Sequence, residues 1–164
     1  MYEERFMQRA VELSRRALEE PGSEPFGAVV VKDGAVAGEG LNRMWARFDP
    51  TSHGEVEAIR DACRKLGTLD LSGAAVYTSC EPCPICVATM IATGIGHLYY
   101  GASLGQSWGI LAPLATRRRR PFTIEAMRAD VGLPVEQRRM PAAQRLDGEA
   151  VAVLEAWVAQ RLRG

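Results

Sequence analysis

Between residues 26 and 102, short β-branched runs alternate with stretches of helical period, and that order leaves few folds open. "FGAVVV" (26–31) and "AVAGEGLN" (35–42) flank "KDG". An Asp-Gly pair between two β-rich runs predicts a hairpin. "HGEVEAIRDACRKLG" (53–67) carries Val56, Ile59, Ala62, Cys63 and Leu66 on one stripe, which predicts a helix closed by Gly67. "AAVYTS" (74–79) reads as a buried strand, "CPICVATMIATG" (83–94) as a mostly apolar helix, and "HLYYGA" (97–102) as a third core strand. The expectation is an α/β fold of three layers, with helices around a central mixed sheet.

The flanks add two helices. Tyr2, Phe6, Ala10, Leu13 and Ala17 recur at helical spacing, and "EPGSEP" (20–25) ends that helix. "DGEAVAVLEAWVAQRL" (147–162) reads as a closing helix capped by Asp147, with Trp157, Val153 and Leu154 in a core. Residues 103–146 show weak periodicity. At 164 residues with 47% hydrophobic side chains, the chain suits a single domain over 1–164.

Composition excludes several classes. Four cysteines are too few for a disulfide scaffold. The charged start, "MYEERFMQRAVELSRRALEE", lacks the apolar stretch of a signal peptide, and no run approaches the ~20 apolar residues of a membrane span. A soluble protein of the reducing cytoplasm is expected, with no membrane partner. Twenty basic and twenty acidic side chains cancel, unlike the basic balance of a general nucleic-acid binder. The basic run Arg117 to Arg120 is an exception, read as a solvated loop rather than a polyanion contact.

Cys83-Pro-Ile-Cys86 falls at a predicted helix start, where partial positive charge favours thiolates. Pro84 suits the first helical position. Alone, this pair is equally a redox motif or two packed thiols. His53 also opens a helix, and Glu55 follows two residues later. Two cysteines and one histidine hold zinc with a position left open, the catalytic pattern. A non-ligating glutamate beside the metal can move protons. The pair "HGE … PCPIC" matches the H-x-E … P-C-x-x-C signature of zinc-dependent base deaminases. The bland alternative is a closed site of His53, Cys80, Cys83 and Cys86. Cys80 is expected instead to turn away into the core, Cys63 to lie in the core, and His97 to sit at the surface.

"PFGAVVVKDG" (25–34), "GEGLN" (38–42), "DPTSHGEVEAIRDACRKLG" (49–67) and "VYTSCEPCPIC" (76–86) together resemble the cytidine deaminase superfamily. Within it they are most similar to bacterial guanine deaminases, while the "HGE" form resembles fungal-type cytosine deaminases. The resemblance implies a cytidine deaminase-like α/β/α fold and one Zn2+ per chain on His53, Cys83 and Cys86. It implies Glu55 as the proton shuttle. Substrate contacts would come from Asn42, Phe26, the backbone N–H groups of Gly54 and Glu55, and the backbone carbonyl of Glu81. It further implies a homodimer built around the core helices. Asn42 could instead cap a turn, and Trp108 could stack on a base or simply pack.

The implied reaction is hydrolytic deamination of a free nucleobase or related amino-heterocycle, releasing ammonia. The alternative is a tRNA adenosine deaminase, and the third reading is a zinc module without catalysis. Between Gly101 and Pro121 there is no Asp or Glu, although guanine deaminases carry acidic residues there. Guanine, cytosine and their analogues therefore all stay open. Gly54 is expected to remove a methyl near the ring plane.

Overall fold

The computed structural model describes residues 2–114 and 123–162. They group into two units, one up to Ile124 and one from Glu125 onward.

The first unit is built on a four-stranded sheet in the order β2-β1-β3-β4. β1 (Glu24–Lys32) and β2 (Ala35–Asn42) form the expected hairpin, with Ala28 opposite Gly40. Asp33 and Gly34 between them both take positive φ, 52° and 75°. Those values fit the paired left-handed positions of a type I′ turn, which Asp-Gly favours. β1 also pairs antiparallel with β3 (Ala75–Cys80), and β3 pairs parallel with β4 (His97–Ala102). The sheet is therefore mixed.

β1 is buried on both faces, so its residues divide between two cores. Ala28 and Val30 join Val76 of β3 in a core against α3 (Gly54–Leu66) and α4 (Pro84–Ala92). Val29 and Val31 join Tyr77 in a core against Phe6, Ala10 and Leu13 of α1 (Glu4–Arg15). Strand alternation thus sends neighbouring residues to opposite helix layers, giving the three layers expected. The Tyr77 hydroxyl accepts from the Glu3 N–H at 3.0 Å, tying the start of α1 to the central sheet. Arg9 of α1 makes a two-pronged pair with Glu39 of β2 at 2.7 and 2.9 Å.

Several expectations are corrected. β4 is an exposed edge among the described strands, not a core strand; Leu98 and Tyr100 are 38% and 49% exposed. No described strand covers its outer side. Leu66, the last residue of α3, is also exposed. The loop after β2 contains a short helix, α2 (Met44–Arg47), tied down by Trp45 Nε1 donating to Glu24 at 2.9 Å. The weakly periodic stretch holds α5 (Leu104–Leu111), whose start is a reciprocal Ser103–Gln106 capping box.

The second unit contains α6 (Ile124–Val131) from Glu125 onward and α7 (Asp147–Arg161). Asp147 is the first helical residue and Leu146 the cap, so Asp147 does not cap the helix by its side chain. Trp157, Val153 and Leu154 are exposed rather than core. No residue of α7 is buried, because a unit of this size offers too little apolar surface to cover the helix. No described helix is long and apolar enough to cross a membrane. Arg117 to Arg120 lie outside the described residues.

Candidate active site

Two helix starts meet beneath the end of the central strands. His53 is the cap residue of α3 and Cys83 the cap residue of α4, both in extended conformation. Neither side chain caps its own helix. The two point at each other instead, and Cys86, one turn into α4, joins them. His53 Nδ1 lies 3.5 Å from Cys83 Sγ and 3.4 Å from Cys86 Sγ, and the sulfurs are 3.6 Å apart. All three are buried.

These distances test the metal. Zinc–sulfur bonds of ~2.3 Å and zinc–nitrogen bonds of ~2.0–2.1 Å at tetrahedral angles require edges of about 3.8 Å (S···S) and about 3.6 Å (N···S). The observed triangle matches both within a few tenths of an ångström. The charges agree. The sulfur–sulfur hydrogen bond pushes the Cys83 thiol well below its usual range, aided by His53 and opposed by burial. That same bond, then burial and the Glu55 charge, push Cys86 up. Without a cation one thiol must keep its proton; a divalent cation lets both ionise. The donor set therefore fits zinc.

Glu55, in the first turn of α3, is 5% exposed. Its Oε2 lies 3.3 Å from Cys86 Sγ and its Oε1 3.2 Å from Thr78 Oγ1. Burial pushes its carboxyl up, against its own backbone N–H and the Cys86 hydrogen bond.

The other predicted residues fall as follows. Cys80 is buried but stands outside the His-Cys-Cys group. Cys63 is partly buried against the core, and His97 is exposed. Asn42 is buried, and its Oδ1 accepts from the Met44 N–H at 3.1 Å. The turn-capping role therefore exists, with the amide nitrogen as the group that can donate elsewhere. Glu81 uses its side chain to accept from the Leu104 N–H at 3.0 Å, pinning the start of α5. Trp108, on α5, is 43% exposed, so it is not packed in the core.

Phe26 is half-buried. Its carbonyl sits where a Cβ on Gly54 would go, at 2.4 Å. The missing methyl at Gly54 thus leaves room for the backbone of β1.

Sequence reasoning missed the polar support of this site. Glu57 is buried, paired with Arg47 and Arg60 at 2.6 Å each, and accepts from Ser52 Oγ at 3.1 Å. It braces the loop that delivers His53. Burial raises its carboxyl, but Arg47, Arg60 and Ser52 outweigh that and hold it below the usual range. The available signal was a second carboxylate in the first turn of a helix whose stripe is otherwise apolar. Thr78 was missed as well, as a polar residue at an inward position of a buried strand.

A glutamate seated beside a metal-ready His-Cys-Cys triangle, on two helix starts under a mixed sheet, defines a metal-dependent hydrolase of the deaminase type. The chain belongs to the cytidine and deoxycytidylate deaminase zinc-binding family, whose model matches residues 1–102. It is 34% identical to the guanine deaminase of Bacillus subtilis over 157 residues, covering 96% of this chain and 94% of that protein. The crystal structure of that guanine deaminase matches with a TM-score of 0.80 over 97% of this chain and 95% of that one. The tRNA-specific adenosine deaminase of Agrobacterium fabrum is 41% identical over 97 residues, 59% of this chain and 63% of that protein.

Proposed function

We propose that this chain hydrolyses the exocyclic amino group of a free nucleobase or related amino-heterocycle, releasing ammonia. The observation that carries the proposal is the Glu55 carboxylate held against a triangle of His53, Cys83 and Cys86 with zinc-sized edges. One zinc ion per chain would be held by those three side chains. When bound, zinc supplies an acidified water as nucleophile near neutral pH.

Glu55 takes the proton of the attacking water and passes it to a ring nitrogen; it then takes the second proton from the hydroxyl added to the ring carbon and gives it to the amine as the C–N bond breaks and the carbonyl forms. A single carboxylate makes all of these transfers, so it must stay within hydrogen-bond reach of each group. Asn42, through its amide nitrogen, and the backbone N–H of Gly54 orient the ring. Phe26 lines the pocket beside it, and Trp108 stacks from the α5 side. The backbone carbonyl of Glu81 receives the departing amine.

A free base is favoured over tRNA because the similarity to a guanine deaminase runs through 96% of the chain, whereas that to the tRNA enzyme covers 59%. For the same reason residues 1–164 are taken as one catalytic domain. The chain is proposed to work as a homodimer in the cytoplasm. Ile91 on α4 is 73% exposed and would be covered by an interface built on the core helices.

The test is ammonia release by zinc-loaded protein from a panel of free bases, nucleosides and an anticodon stem-loop RNA. Release from at least one free base is expected, and its loss in Glu55→Gln with zinc retained. Activity on RNA alone, or a fully active Glu55→Gln protein, overturns the reading.

A further inference from the structure

We infer that Thr78 is a positioning residue for the proton-carrying carboxylate: its hydroxyl holds Glu55 through Oε1 and keeps the other oxygen turned to the metal triangle. The inference rests on the deaminase reading above.

Thr78 occupies the middle of the sheet, opposite Ala28 on one side and Tyr100 on the other. Its side chain shares the face of Val76, which is packed in the α3–α4 core. It is 0% exposed. Valine has the same shape and would fill this place without a polar atom. A hydroxyl buried there costs roughly 1–3 kcal/mol unless it is hydrogen-bonded, so its presence needs a partner. Its single proton has two acceptors within reach and is shared between them: Glu55 Oε1 at 3.2 Å, and the carbonyl of Cys80 at 3.1 Å, two residues along the same strand.

The contact to Glu55 crosses from the central strand to the first turn of α3. It joins residues 23 apart in sequence, and no local turn requires it. The other side-chain contact to this carboxylate, from Cys86 Sγ to Oε2 at 3.3 Å, depends on a thiol proton. A metal-ligating Cys86 is a thiolate and has no proton to give. Thr78 then remains the side-chain donor on Glu55 among the described residues. Outer partners of this kind fix the orientation of the groups that do chemistry.

The test compares zinc-loaded Thr78→Val and Thr78→Ser with the wild type. Thr78→Val is expected to keep its zinc, lose about 10- to 100-fold in kcat, and hold KM within about threefold. Thr78→Ser, which keeps the hydroxyl, is expected to recover kcat to within about threefold of wild type. A crystal structure of Thr78→Val should find the Glu55 carboxylate rotated from its wild-type position. If Thr78→Val does not fold, Thr78→Ala against Thr78→Ser makes the same comparison. An active wild type with Thr78→Val within twofold in kcat overturns this inference alone, as does a serine variant no better than valine. A wild type that releases no ammonia from any base overturns the deaminase reading and this inference with it.

Discussion

Among the described glycines, an added Cβ would meet its nearest neighbour at the shortest distance at Gly40, and replacing Gly40 with alanine tests how the site is positioned. Gly40 lies on β2 beneath α3. A Cβ there would stand 2.0 Å from the Gly54 carbonyl oxygen, 2.4 Å from the Ala58 nitrogen and 2.9 Å from Glu57 Cβ. Ordinary contact needs about 3.4 Å, so α3 and β2 must part by about 1 Å or more. Neither neighbour can swing aside. Gly54 and Ala58 stand four apart in α3, where carbonyl and N–H bond each other, so the helix must lift as a body. Overpacking of this kind costs about 1–3 kcal/mol, and relief of glycine's entropy in a strand returns only about 0.5–1 kcal/mol. A net loss of about 1 kcal/mol lowers the midpoint by roughly 2–4 °C in a chain of this length. The displacement also moves Gly54, which sits between His53 and Glu55, so zinc should be held less tightly. The assay is thermal unfolding with and without zinc, plus chelator competition. Gly96→Ala is the control, because a Cβ there meets nothing within 4 Å; it should match or slightly exceed wild type. A Gly40→Ala midpoint within 1 °C of wild type would refute the close-contact reasoning.

Three further outcomes are expected. Metal analysis should find about one zinc per chain in wild type and in Cys80→Ala, but little in Cys86→Ala; loss in Cys80→Ala would restore the closed four-ligand site. Glu57→Gln should destabilise by about 1–2 kcal/mol, between an exposed pair and a fully buried one, because Glu57 is 8% exposed while Arg47 and Arg60 are 46% and 40% exposed. Because Glu57 is held below its ordinary value of 4.5, its contribution is complete above that pH and fades as pH falls through its lowered folded value. The melting gap between wild type and Glu57→Gln should therefore be constant from pH 6 to 8 and narrow in acid; a gap that widens in acid would contradict the pairing. On the proposed homodimer, wild type should sediment as a dimer and Ile91→Glu as a monomer; a dimer unchanged by the substitution would remove α4 from the proposed interface.

Much of this protein was legible along the chain. The Asp-Gly hairpin, the helix ended by Gly67, and the helix opened by Pro84 each follow from the φ preferences of a few adjacent residues. The candidate ligands were legible because histidine, cysteine and glutamate sat at two helix starts, where local dipoles suit them. Other features depended on contacts between distant segments. That Gly54 accommodates the Phe26 carbonyl, that Gly40 admits α3, and that Thr78 reaches Glu55 are facts of packing between residues far apart in sequence. The exposure of β4, Trp157 and Leu154 likewise turns on which surface covers them, and apolar periodicity is blind to that. Periodicity and capping act over a few residues, so the elements and the chemistry they could carry are written in the chain. Which of those groups touch is set by packing, because contact depends on how close backbones can approach.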